Sequence, residues 1–351
     1  MRLISYTLVD NSPDPVTGVA LSPRDRFAHV VEQASWAEQL GFDAYGVGER
    51  HAQRFLSSSP PVLLSYVAAR TERIRLLTTV TVLSLLDPVR VAEDYATLDQ
   101  LSDGRLEIII GKGNDPEQNA LFGYDLDGQW ERNREKYELL RRLLREERVT
   151  WSGRSRPDLV DATTQPRPLQ RPGIPVWHGS ASSTESTELA ARFGEPLFSA
   201  NGFHPMSKYA ALIDHYRERF SAHGHDPADA VVGAGFIALM VAPRSQDARR
   251  AYEPAFRAFL DSPGARHNRL PFRTLEEFLE QGSALVGSPQ EVLDKIGRYR
   301  EAFGHELTGV PLEVPGVPDP VIRRGAELFA AEVAPALRRS FPSRVWGDRA
   351  A

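Results

Sequence analysis

The chain has 351 residues, of which 41% are hydrophobic and 25% are charged, and an ordinary globular protein of this size needs no covalent staples for its core. It contains no cysteine, which excludes disulfides, thiolate metal sites and cysteine nucleophiles. Its 42 basic and 47 acidic residues are well mixed and leave a net charge of −5, so we expect no nucleic-acid-binding face.

The start of the chain predicts a protein without a signal peptide. Residues 3–8 form a strand-like run at once, and no long apolar segment follows a basic start, as it would in a signal peptide. No window of the sequence approaches the roughly 18 apolar residues that cross a membrane. We therefore expect a cytoplasmic protein that does not bind a membrane.

The first half of the chain alternates short apolar strands with helical patterns. Ser59 precedes Pro60 and Pro61 as a serine cap followed by a proline start, and Gly41 ends the preceding helix. The strands are predicted at residues 3–8, 44–47, 74–83 and 106–110, and the helices at 24–40, from 60, from 88 to the stop at 102–104, and at 128–147.

The second half repeats this alternation after one interruption. Residues 149–173 carry Trp151, Val160 and several prolines, and we interpret them as an extended excursion. The strands are predicted at 174–177, 197–199, 231–241 and 306–312. The helices are predicted from 182, at 206–223, after 244, at 289–303 and at 319–339, with an irregular and then helical segment at 261–282.

Eight short strands separated by helices imply parallel pairing with helical crossovers. An open doubly wound sheet and a closed barrel both fit that pattern. A dinucleotide-binding sheet should show a Gly-x-Gly-x-x-Gly turn after its first strand, whereas residues 9–13 here are VDNSP. The strand count favours a (β/α)8 TIM barrel, and we expect one domain over residues 1–351 with insertions at 149–173 and 261–282.

In a barrel, the loops that follow the strands meet at one mouth, where chemistry is concentrated. Residues 178–184 (HGSASST) lead from the fifth strand into a helix, whose free N–H groups favour an anion. Ser182 and Glu185 also fit a capping box, so these hydroxyls could serve only to cap the helix. Lys112, between two glycines after the neighbouring fourth strand, adds a cation. Together these residues favour a phosphorylated cofactor.

Histidines are the other candidates for chemistry. His51 follows the second strand and could be a general base, or it could be a loop residue paired with Glu49. His223 and His225 resemble a metal-binding pair, but they precede a strand and so lie at the wrong end of a barrel. The strand ends lack the paired ligands of a metallohydrolase and the Gly-x-Ser-x-Gly elbow, and we therefore expect no metal site.

Several motifs, in this order along nearly the whole chain, resemble those of the bacterial luciferase-like flavin monooxygenases. Together they are highly specific for that fold and less specific for the substrate. They lie at residues 41–51 (GFDAYGVGERH), 71–76 (TERIRL), 87–94 (DPVRVAED), 98–105 (LDQLSDGR), 122–123 (FG), 179–185 (GSASSTE), 287–292 (GSPQEV) and 332–338 (EVAPALR).

The resemblance implies an enzyme that uses reduced FMN, supplied by a separate flavin reductase. It implies that the flavin phosphate is bound near Lys112 and by Ser182, Ser183 and Thr184. It also implies a non-proline cis peptide bond under the flavin ring, near Thr79 and Val80. Family members are often homodimers, which we expect here.

One position departs from the family pattern. The family commonly has Glu-His-His after the second strand, with the first histidine catalytic, whereas this chain has Glu49-Arg50-His51. His51 could still be the acid/base, or Arg50 could bind an anionic substrate. The leading hypothesis is a two-component monooxygenase that uses reduced FMN and O2 to oxygenate a small organic substrate. The alternatives are a deazaflavin-dependent hydride-transfer enzyme and a non-catalytic flavin-binding protein.

Overall fold

The computed structural model describes residues 1–52, 54–262, 265–266 and 269–347. Its centre is a closed barrel of eight parallel strands with helices packed around it, which confirms the predicted fold class. Four residues of the predicted 261–282 insertion, at positions 263, 264, 267 and 268, lie outside the described residues.

The first half of the chain supplies four barrel strands, each followed by helix. The bounds are β1 Arg2–Thr7, α1 Pro23–Gln39, β2 Ala44–Val47, α2 Pro60–Ala68, β3 Arg75–Val82, α3 Pro88–Leu101, β4 Leu106–Gly111, α4 Pro116–Leu121 and α5 Gln129–Arg145. The short helix α4 was not predicted, although Asp115 caps it by accepting from the Glu117 N–H at 3.0 Å and Pro116 starts it.

The second half supplies the other four barrel strands and two small sheets beside them. The bounds are β5 Val149–Trp151, β6 Leu159–Ala162, β7 Val176–Ser180, α6 Thr184–Phe193, β8 Leu197–Ala200, α7 Met206–Ala222, β9 Val232–Gly235, β10 Leu239–Val241, α8 Ser245–Leu260, α9 Leu275–Gln281, β11 Leu285–Gly287, α10 Pro289–Phe303, β12 Leu307–Val310, α11 Asp319–Leu328 and α12 Ala334–Ser340.

The barrel strands follow one another around the barrel in chain order. The closed order is β1-β12-β9-β8-β7-β4-β3-β2, and β5 pairs antiparallel with β6 outside it. Successive strand residues face opposite sides of the wall. In β4, Ile109 joins a cluster inside the barrel with Leu77, Trp177 and Phe198, whereas Ile108 packs outward against the helices. The β2, β3, β4 and β7 ends are therefore neighbours at the mouth.

The amino ends of the strands are covered by the last described residues of the chain. Val345 joins the interior cluster, and the Trp346 indole N–H donates to the buried carboxylate of Glu107. The Arg75 guanidinium lies 2.8 Å from Glu107 and 5.4 Å from the Trp346 ring centroid. A cavity of about 460 Å³ at this end is lined by Glu107, Arg75 and Trp346, and also by Arg2 and Gln170. The carboxyl ends, at the opposite face, carry the candidate site.

Three predicted elements were wrong in detail. The predicted strand 231–241 is two strands: β9 stays in the barrel, and β10 pairs in parallel with β11 in a separate sheet. The residues stay apolar from β9 to β10, so hydrophobic periodicity could not reveal that the chain leaves the barrel between them. The predicted helix 319–339 contains a π-helical turn at Phe329–Val333, just before Pro335, which lacks an N–H for regular helix bonding. The Ser59 side chain makes no cap bond to α2.

The capping box at the start of α10 allows a test of how much one helix cap stabilises the protein. Ser288 Oγ accepts from the Glu291 N–H at 3.3 Å, and the Glu291 carboxylate accepts from the Ser288 N–H. We expect Ser288→Ala to lower the free energy of unfolding by about 1 kcal/mol, measured by denaturant titration. The exposed Ser58 is the control, and Ser58→Ala should stay within about 0.5 kcal/mol of the parent. Equal losses in the two variants would contradict a capping role.

Among the described residues, no helix combines the length and the apolar character needed to cross a bilayer. The same residues contain no group of three or more histidine, aspartate or glutamate side chains arranged to hold a metal ion.

Candidate active site

The floor of the mouth is formed by an irregular segment of β3. The peptide bond between Thr79 and Val80 is cis, as the family resemblance implied, and the β3–β4 register shifts between Thr79 and Thr81. Glu49, just after β2, donates its backbone N–H to the Val80 carbonyl at 2.8 Å. The Thr79 hydroxyl is buried and has no hydrogen-bond partner among the described residues.

Glycines at three neighbouring strand ends make room for this segment. A Cβ on Gly111 or on Gly179 would lie 2.7 Å from a Val80 methyl, and a Cβ on Gly48 would lie 2.4 Å from the Thr79 carbonyl oxygen. Real Cβ atoms do not approach other atoms so closely. The Val80 side chain therefore lies across the ends of β4 and β7, in a space that only glycine leaves open.

His51 and Glu49 form a buried pair on the β2 side of the mouth. His51 Nε2 lies 2.7 Å from Glu49 Oε1, and Glu49 Oε2 accepts from the Val82 N–H at 2.9 Å. The Glu49 side chain is only 1% exposed and that of His51 is 10% exposed. The His51 ring packs edge-on against Phe122, just after α4, with ring centroids 4.6 Å apart. Its position is thus set from two sides.

Arg50 points to the rim rather than into this pair. Its guanidinium lies 3.6 Å from the Asp115 carboxylate and 4.9 Å from the centroid of the Phe55 ring. Burial lowers the pKa of Arg50 from its usual value, and the negative charge of Asp115 opposes that shift. The charge of Arg50 is therefore balanced by Asp115 at the start of α4.

On the other side of β3, Lys112 lies at the end of β4. Its ammonium donates to the Gly113 carbonyl at 3.0 Å and to Gln129 Oε1 at 3.2 Å, and it lies 5.1 Å from the centroid of the Trp130 ring. Burial lowers the pKa of Lys112, and the Glu185 carboxylate at the start of α6 opposes that shift. The charge of Lys112 in turn helps to lower the pKa of Glu185, whose largest cause is its hydrogen bond with Ser183. The structure thus brings together the two strand ends that the sequence proposed as an anion site.

The start of α6 differs from the prediction. Ser183, not Ser182, is the N-cap residue, α6 begins at Thr184, and no side-chain cap bond forms. The predicted capping box between Ser182 and Glu185 is therefore wrong. The reason is that β7 continues through Gly179 to Ser180, three residues beyond its predicted end. Ser183 Oγ instead donates to the Glu185 carboxylate at 2.8 Å, while Ser182 and Thr184 are exposed.

Two histidines highlighted in the sequence lie away from the mouth. His178 faces outward from β7, where its Nε2 lies 2.9 Å from the buried Glu195 carboxylate. Tyr137 of α5 donates to the same carboxylate, and so does Arg141 at 3.2 Å. His223, between α7 and β9, pairs with Glu188 at 2.8 Å. The first group ties α5 to the barrel and the second joins the end of α7 to α6, so neither lines the mouth.

Two residues that shape the site, Gln118 and Gln129, were not predicted from the sequence. Gln118 Oε1 accepts from the His51 N–H at 3.2 Å, and Gln129 Nε2 donates to the Lys112 carbonyl at 2.7 Å. The Asp115-Pro116 start signal could have revealed α4 and hence Gln118. No local signal marks Gln129, which opens α5 without a side-chain cap at Gly128.

Comparison with known proteins adds independent support for this fold. The family model for luciferase-like monooxygenases matches residues 1–306. The 4-hydroxyprotoasukamycin monooxygenase of Streptomyces nodosus subsp. asukaensis is 30% identical over 322 residues, which span 87% of this chain and 85% of that protein. The crystal structure of monooxygenase RslO1 from Streptomyces bottropensis is 27% identical, with a TM-score of 0.81 over 96% of this chain and 99% of that one.

A third protein shares the fold at lower identity. It is the oxygenating constituent of 3,6-diketocamphane monooxygenase from the CAM plasmid of Pseudomonas putida, in complex with FMN. It is 21% identical, with a TM-score of 0.74 over 95% of this chain and 98% of that one. The family model covers most of the chain, and the first relative is similar over most of its own length. The chain belongs to the luciferase-like monooxygenase family.

Proposed function

We propose that this protein is a two-component flavin monooxygenase, which takes reduced FMN from a separate reductase and uses O2 to oxygenate a small organic substrate. One observation carries the proposal. The positively charged Lys112, just after β4, lies near the start of α6, which follows the adjacent strand β7 and has no side-chain cap bond. His51 lies across the β3 floor from this pair, so an anion-binding group and a proton-exchanging group flank one mouth.

The residues at the mouth fit a flavin mononucleotide. Lys112 would supply a positive charge to the phosphate, and Ser182, Ser183 and Thr184 would supply hydroxyl and N–H groups at the α6 start. Glu185 accepts from Ser183 there, so a bound phosphate would compete with this carboxylate. Thr79 and Val80 would lie under the ring system, where the Thr79 hydroxyl lacks a partner among the described residues.

In this proposal the flavin supplies the oxygen chemistry when bound, and the chain supplies binding, orientation and proton transfer. His51 is the proposed acid/base because its ring is held at the mouth by Glu49 and Phe122. Arg50 pairs with Asp115 at the rim, and we propose that it orders the β2 and α4 loops against each other.

We also propose that the protein is a cytoplasmic homodimer. The exposed side chains of Val62 and Tyr66 lie one turn apart on α2 and form an apolar face suited to a second copy.

The FMN complex of 3,6-diketocamphane monooxygenase supports FMN as the cofactor on this fold. Deazaflavin-dependent hydride transfer remains the rival proposal, because Arg50 replaces the histidine that the family commonly uses.

The test is oxygen uptake and absorbance of the purified protein after addition of photoreduced FMN. We expect substrate-dependent oxygen uptake with a panel of small ketones, aldehydes and phenols. A spectral change with reduced deazaflavin under anaerobic conditions, with no oxygen uptake with FMN, would favour hydride transfer instead. Retained FMN without substrate-dependent uptake would favour a non-catalytic flavin-binding protein. Boiled protein is the control for free-flavin autoxidation.

A further inference from the structure

The two carboxylate oxygens of Glu49 have different and fixed partners. We propose that Glu49 is a positioning residue that holds His51 in the tautomer with hydrogen on Nε2, so that Nδ1 takes up and returns the proton during turnover. This inference rests on the proposed function of the mouth, in which His51 is the acid/base. Glu49 itself would touch neither substrate nor flavin and would act through the imidazole.

The tautomer follows from what each group can donate. A carboxylate only accepts hydrogen bonds, and a neutral imidazole has one N–H and one bare nitrogen. Glu49 Oε2 already accepts from the Val82 backbone N–H at 2.9 Å. Glu49 Oε1 lies 2.7 Å from His51 Nε2, so the hydrogen in that contact must be on Nε2. The lone pair of the neutral ring is then on Nδ1.

Glu49 is the charged side chain that interacts directly with the His51 ring among the described residues. Gln118 of α4 and Phe122, just after α4, contact His51 and are uncharged. Arg50 pairs with Asp115, the N-cap residue of α4, and Glu117 is an acidic residue in the first turn of the same helix. Burial raises the pKa of Tyr95 of α3, and the nearby Glu49 carboxylate raises it further. The Tyr95 hydroxyl lies 2.6 Å from Thr81 Oγ1. Among the described residues, Glu49 is the charged side chain bonded to the imidazole.

This arrangement defines a complete proton cycle at one atom. A proton accepted at Nδ1 converts the neutral ring to imidazolium, whose Nε2–H stays on the Glu49 carboxylate. The same proton leaves from Nδ1 and restores the neutral ring. The carboxylate stabilises the positive charge while it exists and prevents the ring from rotating, which is the role of a buried carboxylate beside a catalytic histidine.

The Glu49→Gln variant should reverse the tautomer. The Val82 N–H needs an acceptor, so the amide oxygen of Gln should remain there and its NH2 group should face His51. Because NH2 donates, Nε2 would have to accept, and the ring hydrogen would move to Nδ1. The Glu49→Asp variant is the matched control, since it keeps a group that only accepts and should retain the Nε2–H tautomer.

Two-bond ¹H–¹⁵N correlation spectra of ¹⁵N-histidine-labelled protein, with FMN added, report the tautomer directly. The chain has 9 histidines, and the signal that disappears in His51→Ala assigns His51. We expect Nε2–H in the parent and in Glu49→Asp, and Nδ1–H in Glu49→Gln. We also expect Glu49→Gln to lower turnover at least tenfold with FMN affinity unchanged, since a reversed tautomer disables such a base.

Two results would overturn the inference: an Nδ1–H tautomer in the parent protein, or parent-like turnover in a Glu49→Gln variant whose tautomer has reversed. If Glu49→Gln does not fold, the parent and Glu49→Asp spectra still decide the tautomer. The spectra do not depend on activity. Absence of oxygenation together with the expected tautomers would therefore refute the proposed function and leave the Glu49–His51 arrangement intact.

Discussion

Replacement of His51 by alanine is expected to lower turnover by roughly 10²–10⁴-fold, the usual contribution of a general acid–base group. The affinity for FMN should change by less than about threefold, because the residues proposed to bind the phosphate, Lys112 and those at the start of α6, lie on the other side of β3. The measurements are substrate-dependent oxygen uptake and fluorescence titration of FMN. The physical reason is the loss of the imidazole ring that Glu49 and Phe122 hold at this edge of the mouth.

The matched control is His223→Ala. It removes another histidine that is paired with a glutamate, at 2.8 Å from Glu188, but at the opposite end of the barrel. Its turnover should equal that of the parent. Parent-like turnover in His51→Ala would refute the acid/base assignment, and equal losses in both variants would point to a general effect on folding.

The order of the barrel strands could be predicted because it depends on patterns that a linear sequence carries. Eight short apolar runs alternate with helical patterns, some of which carry proline starts or glycine stops, and consecutive parallel strands become neighbours. This alone brought Lys112 and the Ser182–Thr184 region to adjacent strand ends. The resemblance to a family, rather than any periodicity, indicated the irregular Thr79–Val80 segment.

The contacts within the site could not be predicted in the same way. Whether His51 is bonded to Glu49 depends on side-chain directions after β2 ends, and these are set by the Val82 N–H on the neighbouring strand. The start of α6 moved because small residues such as Gly179 and Ser180 fit a strand as well as a turn. Likewise, the apolar run from β9 to β10 shows burial but not which sheet buries it.

The glycines at the mouth link the fold to the proposed chemistry. Gly48, Gly111 and Gly179 lie on three strands, and each leaves space that the Thr79–Val80 segment occupies. The consequence is a floor that presents an aliphatic side chain, Val80, between the acid/base candidate and the anion site. A polar floor would bind water beside the acid/base candidate and the anion site. An apolar floor excludes that water and so strengthens electrostatic interactions with a bound cofactor.

Replacement of Lys112 by alanine is expected to weaken FMN binding by about 10- to 100-fold, the effect of one charge-assisted hydrogen bond worth 1.5–3 kcal/mol. The ammonium is half-buried beside Gln129 and Trp130, so water cannot fully replace its interaction with a phosphate. Riboflavin, which lacks the phosphate, should bind the variant and the parent with equal affinity. The ratio of FMN to riboflavin affinity, measured by fluorescence titration, therefore isolates the contact between Lys112 and the phosphate.

The control for this measurement is Lys208→Ala, which removes an exposed lysine of α7 and should leave both affinities unchanged. Lys112→Arg should retain part of the preference for FMN, since it keeps the charge but alters the geometry. Equal losses for FMN and riboflavin in Lys112→Ala would mean that the lysine shapes the mouth through Gln129 rather than binding phosphate. Unchanged FMN affinity in Lys112→Ala would show that the phosphate does not bind at this end of β4. The proposed flavin site would then lack the cation on which it depends.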